Sequence, residues 1–145
     1  MRRVAARDLH HVGIAVADLA AAVERWCRLF GAEIEDEEEV PSQGVRAVAL
    51  LTGSGRVELL SPLEADTPVG RFLERRGEGM HHLAFSVDDV AAELELLRRE
   101  GATLIDEVPR QGLYGPVAFV HPETVGGVLV ELVGRPGPST SKEPQ

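Results

Sequence analysis

Two histidines and two glutamates in this 145-residue sequence could do chemistry as a set: His11, Glu58, His82 and Glu131. Imidazole nitrogen and carboxylate oxygen are ligands for divalent first-row metals. A set of two of each, without sulfur, favours Mn, Fe, Co, Ni or Zn over Cu(I) or an iron–sulfur cluster. The set divides into equal halves. His11 is the second histidine of "HHVGIAVADLAAAVERW", and His82 is the second of "HHLAFSVDDVAAELELL", 71 residues later. Glu58 stands in "RVELL" and Glu131 in "VLVEL". A carboxylate in mid-strand between aliphatic residues is buried or half-buried, and burying it unpaired costs several kcal/mol, so it needs a cation or a proton. One dication held by one imidazole and one carboxylate from each half accounts for all four. Its charge would be cancelled by the two carboxylates, leaving a neutral centre suited to an anionic, oxygen-chelating ligand. For any one of these residues an ordinary role is commoner, a strand-start histidine or an edge-strand acid facing water. The repeat relation is what sets the four apart.

The elements that must position them are themselves duplicated. Asp18 and Asp89 keep the 71-residue offset, Gly31 answers to Gly101, and "EVPSQG" at 39–44 returns as "EVPRQG" at 107–112. Each half reads as strand, helix, then three strands, an α+β fold of two tandem βαβββ modules. "HVGIAV" and "HLAFSV" alternate with period two. Asp18 and Asp89 occupy helix N-cap positions. Leu19, Val23, Trp26, Cys27 and Phe30 fall on one helical face, and Gly31 and Gly101 stop the helices. "AEIEDEEEV" and "ATLIDEVP" are expected as strands, followed by "VRAVALL" and "VAFVH", then the two glutamate strands. The expected organisation is a single domain over 1–133, with module one at 8–66, a linker with a short helix at 67–79 and module two at 80–133. Residues 134–145, rich in Pro, Ser and Gly, are expected to be a disordered tail. Strand parity puts Val12, Ile14 and Val16 under the helix and leaves His11, Gly13 and Ala15 opposite. In the second half His82, Ala84 and Ser86 are left in the same way. One histidine followed by small residues implies a hollow rather than a packed core. His10 and His81 fall on the other parity and read as bystanders.

Composition bounds the function. A hydrophobic content of 43% in 145 residues suits one domain with a real core. With 15 Lys and Arg against 24 Asp and Glu, the formal charge is −9, which leaves no basic footprint for nucleic acid or anionic lipid. Cys27 is the only cysteine, excluding an intrachain disulfide and a thiolate zinc cluster. "MRR" is followed by no apolar h-region and no run approaches 18 apolar residues, so a soluble cytoplasmic protein without a membrane span is expected.

These modules resemble the vicinal oxygen chelate superfamily, which includes glyoxalase I, bleomycin resistance proteins and extradiol dioxygenases. More narrowly, "HHVGIAVADL", "VELLSPLEADTPVGRFLERRGEGMHHLAFSVDDV", "IDEVPRQG" and "VAFVHPETVGGVLVELV" are similar to the methylmalonyl-CoA epimerase family over residues 9–133. The resemblance implies a metal-dependent racemase/epimerase that inverts C2 of an acyl-CoA thioester. It also implies a divalent ion, with cobalt favoured among Co, Mn, Ni and Zn, on His11, Glu58, His82 and Glu131. Glu131 becomes the catalytic proton carrier, Gln43, Gly112 and Tyr114 become substrate contacts, and a homodimer is expected. The sequence departs from the family at Ala47, where well-known epimerases carry a second acid/base Glu, and at Glu123 in "HPET", where a Lys is common. The alternatives are a glyoxalase I-type lactoylglutathione lyase, whose proton shuttle can run through one ligand Glu, and a non-catalytic small-molecule binder of the resistance type.

Overall fold

The computed structural model describes residues 7–134, so most of the expected tail lies outside the described residues. In chain order the elements are β1 (Leu9–Ala15), α1 (Leu19–Phe30), β2 (Glu33–Val40), β3 (Val45–Thr52), β4 (Gly55–Pro62), α2 (Pro68–Arg76), β5 (Gly79–Val87), α3 (Val90–Arg99), β6 (Arg110–Gln111), β7 (Pro116–Val120) and β8 (Val130–Gly134). Local chemistry sets the helix starts. Asp18 accepts from the Ala21 amide and Asp89 from the Ala92 amide, each at 3.1 Å, satisfying a first-turn donor. Thr67 does the same for the Gly70 amide ahead of α2, with Pro68 in the first turn. Gly31 ends α1 at φ 68°, a left-handed conformation that costs glycine little.

All eight strands form one sheet in the order β2-β3-β4-β1-β5-β8-β7-β6. Within each module the first strand lies parallel to the last, β1 beside β4 and β5 beside β8. The modules join where β1 and β5 pair antiparallel. Period-two alternation then sorts side chains onto two faces. Val16, Leu50 and Leu59 pack with Trp26 and Cys27 of α1, and Val87, Ala118 and Leu132 pack with Leu94 and Leu97 of α3. The opposite face carries Ala15, Val45, Ala47 and Leu60 in one module and Ala84, Val117 and Val133 in the other. It is on this second face that the four candidate ligands lie.

The halves are not equally regular. The charged segment Glu33–Val40 does form a full strand, an edge strand whose acidic side chains face water and discourage further pairing. "ATLIDEVP" does not. It contributes only an isolated bridge from Leu104 to Val120, and strand structure resumes at Arg110. The cause is Asp106, whose Oδ2 accepts from the Phe119 amide at 2.8 Å, while the Ile105 and Asp106 amides both donate to the Phe119 carbonyl. A side-chain carboxylate thus takes a bond that the ladder needs from a backbone carbonyl.

Candidate metal centre

The site begins with an irregularity in the β1/β5 pairing. His11, Val12 and Gly13 pair with Ala84, Leu83 and His82, but Leu9 pairs with Phe85 and Ile14 with Met80. His10 is therefore an extra residue on β1 and His81 an extra residue on β5. These are two β-bulges related by the repeat, and a bulge bends its strand and re-aims side chains. As a result His10 Nδ1 lies 2.8 Å from His11 Nδ1, and His81 Nδ1 lies 2.9 Å from His82 Nδ1. The outer nitrogen of each inner histidine is engaged by its neighbour, and the two Nε2 atoms meet at 3.0 Å. Simple alternation made His10 and His81 bystanders, and the bulges overturn that reading. The doublet "HH" at two repeat-equivalent positions was the available signal.

Small residues make the room. A Cβ on Gly13 would sit 2.1 Å from Cε1 of His82, so the ring occupies the space that any side chain there would need. Ala84, fully buried, pairs with His11 in the equivalent place. Parallel pairing then delivers the carboxylates, Glu58 beside Gly13 and Glu131 beside Ala84.

All four side chains are buried and offer one ligand atom each within 4.8 Å of one another. His11 Nε2 lies 3.4 Å from Glu58 Oε1 and 3.3 Å from Glu131 Oε1. For His82 Nε2 the corresponding distances are 3.6 and 3.1 Å. Donors bound to one ion at about 2.1 Å stand roughly 3.0–3.4 Å from each other in octahedral or tetrahedral arrangements. The observed spacings fall close to that range. Glu131 Oε1 is buried and makes no hydrogen bond of good geometry, although the two imidazole nitrogens lie 3.3 and 3.1 Å from it. Burial alone would raise the Glu131 carboxyl, but His11 and His82 outweigh it and hold it well below the usual range. Burial alone would depress His11, but the Glu131 and Glu58 carboxylates prevail and push it up to about 9. His10 and His81 are pushed down to about 4, first by burial and then by the neighbouring imidazole. An orphaned acceptor, two carboxylates and two ring nitrogens converging in a buried place are donors that suit a divalent cation.

Beside His82 lies a cavity of about 130 Å³, lined by Gln43, Val45, Leu60, Arg110 and Phe119 among others. The repeated "PSQG" and "PRQG" segments touch each other here: Ser42 Oγ donates to the Gln111 carbonyl at 2.6 Å, and Arg110 Nη1 donates to the Ser42 carbonyl at 2.7 Å. Gly112 belongs to this junction, because a Cβ there would meet Val117 at 2.6 Å and Gln43 Nε2 at 3.3 Å. Tyr114 is not among the residues lining this cavity, but its ring lies 5.3 Å from that of His11. Its ring packs edge-on against His10 at 4.4 Å with the Arg56 guanidinium over it at 5.5 Å, and its buried hydroxyl has no hydrogen-bond partner. Ala47 is 1% exposed in the apolar cluster with Ala15, Leu60 and Val69. Glu123 is exposed, in a turn where its amide donates to His121 Nδ1.

Residues 10–119 match the family described as the Glyoxalase/Bleomycin resistance protein/Dioxygenase superfamily. The chain is 40% identical over 127 residues to the mitochondrial methylmalonyl-CoA epimerase of Homo sapiens, covering 86% of this chain and 72% of that protein. Its fold is similar to the crystal structure of methylmalonyl-CoA epimerase from Mycobacterium tuberculosis, with a TM-score of 0.87 and 37% identity, covering 93% of this chain and 91% of that one. It is also similar to a variant of the Streptomyces coelicolor methylmalonyl-CoA epimerase in complex with 2-nitronate-propionyl-CoA, with a TM-score of 0.84 and 36% identity over 90% of this chain and 96% of that one. The chain belongs to the Glyoxalase/Bleomycin resistance protein/Dioxygenase superfamily.

Proposed function

We propose that this chain is an epimerase that interconverts the R and S thioesters of methylmalonyl-CoA by moving the proton at C2. One observation carries the reading: the buried His11–Glu58–His82–Glu131 centre beside a cavity, in a chain whose relatives are named for that reaction. His11 and His82 through Nε2, and Glu58 and Glu131 through one oxygen each, would hold a divalent cation, for which we propose Co, Mn, Ni or Zn with cobalt foremost. When bound, such an ion supplies Lewis acidity toward the substrate's thioester carbonyl and free carboxylate.

The remaining work falls to the protein's own groups. Glu131 is the proposed proton carrier. It is buried between the two imidazoles, which hold its carboxylate in one place at the centre. The position of the second family acid/base is Ala47, a buried methyl in an apolar cluster that carries no proton. Glu58, related to Glu131 by the repeat and equally buried, is the carboxylate left to serve the other face of C2. Gln43 and Gly112 at the junction of the two loops, and Tyr114 beyond His10, are proposed contacts for the acyl-CoA. The sheet's two modules would act as one domain over 1–133, paired as a homodimer in the cytoplasm. No helix among the described residues is long and apolar enough to cross a membrane.

The test uses the metal-loaded protein with methylmalonyl-CoA in D₂O. The C2 proton signal should disappear with time. Absence of exchange, together with turnover of a glutathione hemithioacetal, would assign the chain to glyoxalase-type chemistry instead. Less than about half an equivalent of retained metal after dialysis, with no turnover of either substrate, would mark a binder, since a site assembled from four donors is expected to keep its ion.

A further inference from the structure

We propose that His10 and His81 are positioning residues: each accepts the Nδ1–H of the histidine that follows it and thereby aims the Nε2 lone pairs of His11 and His82 at the shared centre. The proposal rests on the metal reading above and adds two residues to it. A neutral imidazole has one N–H and one lone pair, so a ring that binds metal through Nε2 must carry its proton on Nδ1 and needs an acceptor there. The acceptors that the structure offers are His10 Nδ1 at 2.8 Å and His81 Nδ1 at 2.9 Å. His10 then carries its proton on Nε2, and Arg56 Nη1, 3.4 Å from that nitrogen, gives its own hydrogen to the His10 carbonyl at 3.2 Å.

Three features set this arrangement apart from a chance contact. It occurs twice, on both strands of the repeat, and each occurrence uses a bulge, which spends a regular ladder position to bring the neighbour's ring round. Each pair meets nearly edge-to-face, at 76° for His10 and His11 and 86° for His81 and His82. Each outer ring is braced by an aromatic residue from outside the matching strands. Tyr114 packs on His10 at 4.4 Å, and Phe72 of α2 packs on His81 at 4.9 Å.

The experiment compares His10→Phe and His81→Phe, which keep a ring but remove the acceptor, with His10→Asn and His81→Asn, whose side-chain carbonyl restores one. The readout is affinity for Co(II) and for Zn(II) alone, measured by competition with a chelator. Each Phe variant should bind roughly 10–100-fold more weakly, and each Asn variant should recover most of that loss. In parallel, ¹⁵N resonances of the zinc-loaded unsubstituted protein should show Nδ1 of His11 and His82 protonated and Nδ1 of His10 and His81 bare. Unchanged affinity in folded Phe variants overturns the proposal, as does a protonated Nδ1 on His10 or His81. If the Phe variants do not fold, the nitrogen resonances decide alone. An unsubstituted protein that binds neither ion overturns the metal reading itself, whereas tight binding by the parent and the Phe variants alike overturns only the positioning role.

Discussion

The two modules present the same histidine and glutamate to a common point but surround them differently. In module one His10 sits under Tyr114 and beside Arg56, which donates to the His10 carbonyl and forms a two-pronged ion pair with Glu35 at 2.7 and 2.9 Å. In module two His81 faces the apolar ring of Phe72. Across the neighbouring strand, Glu58 pairs with Ala49, whereas Glu131 pairs with Phe119, which stands edge-on to His82 and lines the cavity. Gly13 makes room for His82, while Ala84 suffices beside His11. The inner four are constrained by convergence on one point, which a two-fold repeat satisfies with identical residues. Their surroundings have no such constraint. The proposed substrate is asymmetric, and the residues around the shared centre differ between the modules.

The largest test of that difference compares Glu131→Gln with Glu58→Gln. Both remove a proposed carboxylate ligand, but Glu131 is the proposed principal proton carrier. Deuterium exchange at C2 should fall about 10³-fold or more for Glu131→Gln, within the range of lost acid–base catalysis, and roughly 10–100-fold for Glu58→Gln. Equal losses would mean that the two carboxylates share the work evenly. A second comparison pairs Gly13→Ala with Ala84→Gly. The first forces a methyl into the His82 ring and should cost about 1–3 kcal/mol in thermal unfolding, with a clear loss of cobalt affinity. The second removes one methyl and should cost about 1 kcal/mol or less, with affinity retained.

A third prediction concerns pH. In the metal-free protein His11 is held at about 9 against an ordinary 6.5. A folded-state pKa raised above the unfolded one stabilises fully below 6.5, and that contribution is lost as pH rises through 9. The melting temperature of the metal-free protein should therefore decline across that window. Cation binding near pH 7.5 should release about one proton, measurable by calorimetry in buffers of different ionisation enthalpy. The smallest expected effect belongs to Arg56→Gln, which removes a partly exposed ion pair found only in module one. It should lower stability by about 0.2–1 kcal/mol, less at high salt, with C2 exchange nearly unchanged.

Much of this centre was legible in the sequence because the repeat and the strand period are independent signals that select the same residues. Parity placed His11, Gly13, His82 and Ala84 on one face, and the burial of a mid-strand acid singled out Glu58 and Glu131. What was illegible has local physical causes. A bulge adds one residue without any change in composition, so period-two reasoning assigned His10 and His81 to the wrong face. Asp106 reads as an ordinary residue in a strand until its carboxylate is seen to take the Phe119 amide. The contact between Ser42 and Gln111 joins segments 69 residues apart, and a repeat reveals that two segments correspond, not that they touch.

On the reading proposed above, both modules share one ion through one imidazole and one carboxylate from each. X-ray absorption at the cobalt edge, on protein loaded to saturation, tests it most directly when His11→Ala and His82→Ala are measured beside the parent. The parent should hold one ion per chain with two imidazoles, and either variant should show a single imidazole. A parent spectrum with one imidazole or none, or a variant indistinguishable from the parent, would contradict it.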